Sequence, residues 1–158
     1  MEVTGFMNRL FNQKNHSAVS QHTGDANIQA YIQDIHKYLN RRLYSPNAEI
    51  LSLAFLDHST TENNRDATAK VQLFFQKTIT QLESYQSVLN ALHPKDQMFI
   101  TGKRKTLEIL AKLIIDCQTF EANASYYSMR VHDGTLKKFL NRTVQQSLAT
   151  LELYLEKN

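Results

Sequence analysis

The side chains in this chain that could do chemistry are six histidines, one cysteine and a short run of bases. The histidines are His16, His22, His36, His58, His93 and His132; the thiol is Cys117; the run is Lys103, Arg104 and Lys105. Imidazoles and carboxylates on facing helices can bind a metal, and a helical di-metal site is marked by Glu followed three residues later by His. That pair is absent, as is His-Glu-x-x-His. The histidines fall mostly in expected loops or at helix ends, ordinary places for solvated imidazole. A reactive cysteine needs an exposed thiolate beside a cation. Cys117 instead shares helical spacing with Leu110, Ile114 and Ala124, which marks it as a small core residue. Gly102-Lys103 resembles the end of a phosphate-binding loop, but position 97 is Gln where that loop needs Gly, and no strand precedes it. With these constellations missing, the expectation is a non-enzymatic protein with no metal and no cofactor.

The bases allow a different chemistry, the capture of anions. Through Lys70, seven basic residues balance seven acidic ones, whereas beyond it eleven bases face eight acids. The excess gathers over 103–142, where Lys103, Arg104, Lys105, Lys137, Lys138 and Arg142 are candidate anion-binding residues for nucleic acid or an acidic protein. Glu108, Asp116, Glu121 and Asp133 are interspersed. Lys105 with Glu108, or Lys112 with Asp116, could simply pair along a helix. No helix-turn-helix spacing, zinc-knuckle cysteines or RNA-type aromatic motif accompanies the bases, so a nucleic-acid-binding regulator is the alternative reading rather than the first.

Apolar side chains at the N-terminus point to protein contact. Phe6, Met7, Leu10 and Phe11 share one side of a short helical pattern, with Asn8 and Arg9 on the other. Two turns are marginal alone and need a surface to hold them. The polar stretch that follows, to residue 24, reads as a flexible linker. The segment therefore suits a tethered docking peptide for a protein partner, a flap that folds back over the remainder of the chain, or a loose terminus without fixed structure.

The elements that would carry these residues are helical. The most regular stretch is 67–92, where Val71, Phe74, Phe75, Thr78, Ile79, Leu82, Tyr85, Val88, Leu89 and Leu92 recur every three or four residues without Gly or Pro. Before it, Ile28, Tyr31, Ile32, Ile35, Tyr38, Leu39 and Leu43 predict a helix capped by Thr23 or Asp25 and ending near Arg42. Ser45-Pro46 reads as a start signal for a nearly all-apolar helix over 47–57, expected to be buried on all sides. Pro94 stops the long helix. Gly102 is expected to kink the chain before a second long helix over 103–131 that carries apolar residues on two neighbouring stripes, enough to pack against two neighbours. Gly134 suits a left-handed turn ahead of a final helix over 136–155, with Leu136, Phe139, Leu140, Val144, Leu148, Leu151, Tyr154 and Leu155 inward.

With two prolines and four glycines in 158 residues, the chain is expected to be all-α. The reading is an antiparallel helical bundle of about five helices, three of them long, with a short N-terminal amphipathic segment. Residues 1–24 form that segment and its linker, and 25–158 a single bundle domain. No apolar run is long enough to span a membrane, residues 1–11 lack the pattern of a secretory signal, and one thiol cannot close an internal disulfide. A cytoplasmic protein is expected, acting as an adaptor, chaperone-like factor or regulatory subunit through contact with other proteins or with further copies of itself.

Overall fold

The computed structural model describes residues 23–44, 48–129 and 134–155. Helix α1 (Thr23–Leu39) continues into a π-helical turn, Asn40–Tyr44. A 3-10 segment (Glu49–Phe55) leads to α2 (Thr61–Ala91) and then α3 (Gln97–Ala122). The short α4 (Ala124–Tyr127) follows, then α5 (Gly134–Lys138), a second π-helical stretch (Phe139–Val144) and α6 (Gln145–Glu152). No strand occurs among the described residues.

Contacts between the elements fix an up-and-down arrangement. Tyr38 stacks edge-on against Tyr85, and Arg42 reaches Phe74 and Thr78, so α1 and α2 run antiparallel. Phe75 against Phe120 and the Lys103 ammonium on the Leu92 carbonyl make α2 and α3 antiparallel in turn. Phe120 against Phe139 at one end and Gly102 against Tyr154 at the other bring the last tract back along α3. His36 and Glu152, 3.0 Å apart, close the ring between α1 and α6.

The core is what the apolar periodicity predicts. All ten residues named on the 67–92 stripe are buried, and so are all seven on the α1 stripe. Burying such a side chain contributes about 1.5–3 kcal/mol, and continuous stripes decide the packing. Helix α2 nevertheless begins six residues earlier than its apolar pattern, because the Thr60 hydroxyl accepts from the Asn63 amide and starts the helix within a polar run. Gln81, expected to face water from its polarity, is buried.

Four further expectations need correction. The 47–57 segment is a 3-10 turn rather than a buried α-helix: Ala48, Ile50 and Leu53 are inside, while Phe55 is 86% exposed. Asp25 does not cap α1; its carboxylate accepts from the backbone amides of Lys95 and Asp96, tying the start of α1 to the α2–α3 turn. The second long helix starts at Gln97, where the Asp96 carboxylate caps it through the Met98 amide, and it passes Gly102 without interruption. Gly102 serves packing instead: a Cβ there would stand 3.1 Å from the Tyr154 ring and 3.4 Å from Ile32, so the hydrogen lets three helices meet closely. The helix ends at Ala122, short of 131, where Asn123 leaves the helical region (φ −113°, ψ 33°) and its side-chain amide donates to the Thr119 carbonyl. Gly134 does adopt the left-handed conformation, φ 52°.

Candidate functional site

Helix α3 carries apolar residues on two opposite sides, and among the described residues only one side is covered. Gly102, Thr106, Leu110, Leu113, Ile114, Cys117 and Phe120 are buried against the other helices. Ala111 follows Gly102 by two and a half turns and therefore points the opposite way. With it lie Ile100, Arg104, Leu107 and Ile115, spaced by fours and threes along one outward stripe. Ile115 is 62% and Ile100 41% exposed. Ile100, Lys103, Arg104, Leu107, Glu108 and Ala111 line an open groove of about 520 Å³. Its accessible lining is predominantly apolar.

The charged groups at this groove are already engaged. Lys103 donates to the Leu92 carbonyl at 2.7 Å, satisfying one of the last acceptors of α2. Arg104 lies 3.6 Å and Lys105 3.8 Å from the Glu108 carboxylate, and Lys112 lies 3.9 Å from Asp116. Such exposed pairs are worth about 0–1 kcal/mol each. Their consequence here is directional: the bases at the start of α3 are held along the helix rather than gathered into an anion cradle.

Lys137, Lys138 and Arg142, expected in the same basic region, stand elsewhere. They flank Phe139, which packs on Phe120 at the far end of α3. Phe120 lies seventeen residues from Lys103, about 25 Å along the helix axis. All three are exposed. The structure thus divides the six candidate anion-binding residues into two groups of three. The candidate partner-binding residues Phe6, Met7, Leu10 and Phe11 lie outside the described residues.

The remaining chemistry-bearing residues are spent on the fold. Burial pushes the Cys117 thiol up to about 12 from its ordinary value, with Asp116 adding to the rise and Arg42 opposing it. A thiol so held is a poor nucleophile. His58 bridges two segments, its Nδ1 2.7 Å from the Asn64 side-chain oxygen and its Nε2 2.9 Å from the Ser128 carbonyl oxygen. Among the described residues no three His, Cys, Asp or Glu side chains converge as metal ligands would.

One polar cluster has no precedent in the sequence reading. The first π-helical turn presents Arg42 inward, where its Nε donates to the Thr78 hydroxyl at 3.0 Å and its Nη2 to the Phe74 carbonyl at 2.9 Å. Its Nη1 pairs with Glu49, and its guanidinium lies 3.9 Å above the Phe74 ring. Burial pushes the neighbouring Tyr38 hydroxyl up to about 12, with Arg42 and the contact with the Thr78 hydroxyl working against the rise. Every face of the guanidinium has a partner, so the cluster is a clamp joining α1, α2 and the 3-10 segment rather than a binding site. Nothing in the local sequence distinguishes Arg42 from the exposed Arg41 beside it except its register in a π-turn, which periodicity of 3.6 does not anticipate.

Sequence periodicity likewise assigns Leu107 and Ala111 to the inner stripe with Leu110, and it leaves Ile115 unassigned. The signal that could have separated them is the run Leu113, Ile114, Ile115, in which three consecutive apolar residues cannot all face one core. No helix of the described residues is long and apolar enough to cross a membrane. Comparison of the chain with protein-family models, with curated proteins and with solved structures finds no match.

Proposed function

We propose that this chain is a non-enzymatic, cytoplasmic helical bundle that works by binding another protein, as an adaptor, chaperone-like factor or regulatory subunit. The observation that supports this most is the outward stripe of α3, where Ile100, Ala111 and Ile115 are exposed and no helix among the described residues covers them. A side chain such as Ile115, left 62% in water, contributes little to folding and can contribute to association. The mode of contact is helix on helix: a few aliphatic or aromatic anchors enter the groove while Arg104 and Glu108 at its rim set orientation.

Affinity capture from the source cell tests the reading. Ile100→Asp and Ile115→Asp each place a charge at an exposed position of the stripe, and the proteins that co-purify with the wild-type chain are expected to be lost. If every co-purifying protein remains with both variants, and with a chain lacking residues 1–12, the reading fails.

Exposure of Lys137, Lys138 and Arg142 favours the second reading, a nucleic-acid-binding regulator. It ranks below the first because Lys103, Arg104 and Lys105 have protein partners already. Binding of this kind weakens steeply with salt. Failure of the chain to retard DNA or RNA at low salt would remove it.

A further inference from the structure

The outward side of α3 carries charges in a definite order. Arg104, Glu108, Lys112 and Asp116 follow one another at four-residue intervals, so they form one ridge on the helix surface that reads base, acid, base, acid. The first three are exposed, and the pairs within the helix are long, 3.6 Å from Arg104 to Glu108 and 3.9 Å from Lys112 to Asp116. Beside this ridge runs an apolar one with the same spacing, Leu107, Ala111 and Ile115. The groove of about 520 Å³ lies between the two, with Arg104 and Glu108 along one wall and Leu107 and Ala111 along the other.

Reversing the order of the charged ridge inverts the sign at every position. Two copies of α3 laid antiparallel about a twofold axis near residue 110 therefore set Arg104 of each against Asp116 of the other, and Glu108 of each against Lys112 of the other. We propose that the α3 groove is a self-association site, filled by α3 of a second copy of this chain in that antiparallel register. This rests on the reading of α3 as a binding surface and names the occupant.

Ridges spaced by four that enter grooves spaced by four give the commonest helix crossing, with axes at about −50°. In such a crossing the charged ridge of each copy enters the groove of the other. Opposite charges meet along one wall, and the aliphatic stems of Arg104 and Lys112 cover the apolar ridge along the other. Ala111, beside the centre of the register, is small enough to let the helices approach. A parallel pairing in register would set each charge against its own kind. A partner of unrelated sequence would have to bring this order of signs, whereas a second copy carries it by construction. The other charges on α3 leave the pairing unopposed: Lys103 is held on the Leu92 carbonyl, Lys105 lies 3.8 Å from Glu108, and Glu121 accepts from the Gln76 amide. A contact confined to one helix from each copy is at the small end of specific interfaces, so association is reversible and depends on concentration.

Sedimentation equilibrium of the full chain tests the proposal, at concentrations up to about 1 mM and at low ionic strength, where exposed charges are least screened. A monomer–dimer equilibrium is expected. Glu108→Lys and Lys112→Glu each set like charges together at two symmetric points, and each is expected to raise the dissociation constant at least about tenfold. Both positions are exposed, and circular dichroism with thermal unfolding verifies that the variants fold as the wild type does. At these two positions the first variant carries only bases and the second only acids. Mixing the two variants is therefore expected to restore a dimer made of one chain of each. A chain that stays monomeric throughout, a dimer that survives either single substitution, or two variants that do not associate on mixing would overturn the proposal. A dimer left at full strength by Ile115→Asp would overturn it as well, since it would use another surface. Should the dimer be absent while Ile100→Asp and Ile115→Asp still remove captured proteins, the second copy is excluded and the binding surface stands. Should captured proteins also remain with those variants, the two readings fall together.

Discussion

The two sides of α3 are almost equally apolar and have opposite fates. Inward, Leu110, Leu113, Cys117 and Phe120 are at most 3% exposed, on the face where the other helices pack. Outward, Ile100 and Ile115 meet water, and Leu107 is only partly covered. Hydrophobicity of a residue reports what it would gain by burial and says nothing about what is available to bury it. Among the described residues the neighbours of α3 all lie on one face, where α1, α2, α4 and the final tract pack and none wraps around. A helix apolar on two sides in a bundle that covers one is therefore an incomplete structure in energetic terms, and that incompleteness motivates the binding reading.

Substitution at the centre of the inward face should show the largest effect. Phe120 has its ring centroid 5.3 Å from Phe75, 4.9 Å from Tyr127 and 4.9 Å from Phe139, so it joins α2, α4 and the second π-helical stretch. Phe120→Ala is expected to lower unfolding free energy by about 3–5 kcal/mol, read from urea denaturation. A loss well under that range would mean that the inward face collapses around the void, and the contrast between the two faces would shrink.

Alkali should attack the same side chemically. Tyr38 and Cys117 both have hydroxyl or thiol pKa values pushed up to about 12, chiefly by burial. Folding favours their neutral forms, so the stability they contribute is fully present below their unfolded values, 10.0 and 9.0, and is lost as pH rises through about 12. The urea midpoint is expected to fall between about pH 9 and pH 12, and Tyr38→Phe, which removes one of the titrating groups, to flatten the fall. An unchanged midpoint across that window would show that these groups reach water more readily than their burial implies.

Arg42→Met probes whether a buried charge can serve a purely structural end. Its side chain is 11% exposed, and the substitution removes two hydrogen bonds, an ion pair and the stacking on Phe74 while retaining volume. Thr78 keeps its own bond to the Phe74 carbonyl, and Glu49, 45% exposed, rehydrates. A loss of about 1–3 kcal/mol is expected, from the same denaturation measurement. A gain in stability would indicate that desolvating the guanidinium costs more than its contacts return.

Legibility in the sequence followed the same division. The stripes of α1 and α2 were readable residue by residue because each has a single apolar face, and period alone assigns it. The starts at Thr61 and Gln97 precede the apolar stripes because the caps, Thr60 and Asp96, act through polar atoms; Thr60 is one of the three candidate caps, with Ser59 and Thr61, that the polar stretch 58–64 offers. The break at Asn123 and the π-turns that orient Arg42 depend on local backbone geometry, for which the residue types carry little signal. On α3 period 3.6 identified the helix and misassigned Ala111, since two overlapping stripes can be phased in more than one way. The candidate groove was hidden for that reason: recognising it requires knowing which side the neighbours occupy.

The smallest stability effect belongs to the outward face. Ile115 already lies 62% in water, so Ile115→Asp removes little buried area and leaves no cavity. Its neighbours along the helix surface include Lys112 and Gln118, and a carboxylate near Lys112 can recover a few tenths of a kcal/mol. Unfolding free energy is therefore expected to change by no more than about 0.5 kcal/mol. The same variant is expected to abolish partner capture, so the two readouts move in opposite proportion to those of Phe120→Ala. Should Ile115→Asp instead cost as much as a core substitution, something in the chain itself must cover this face tightly enough to count as core. The amphipathic residues preceding α1 would then be the first to examine, and pairing the variant with Phe6→Ser would show whether the two losses are shared or add.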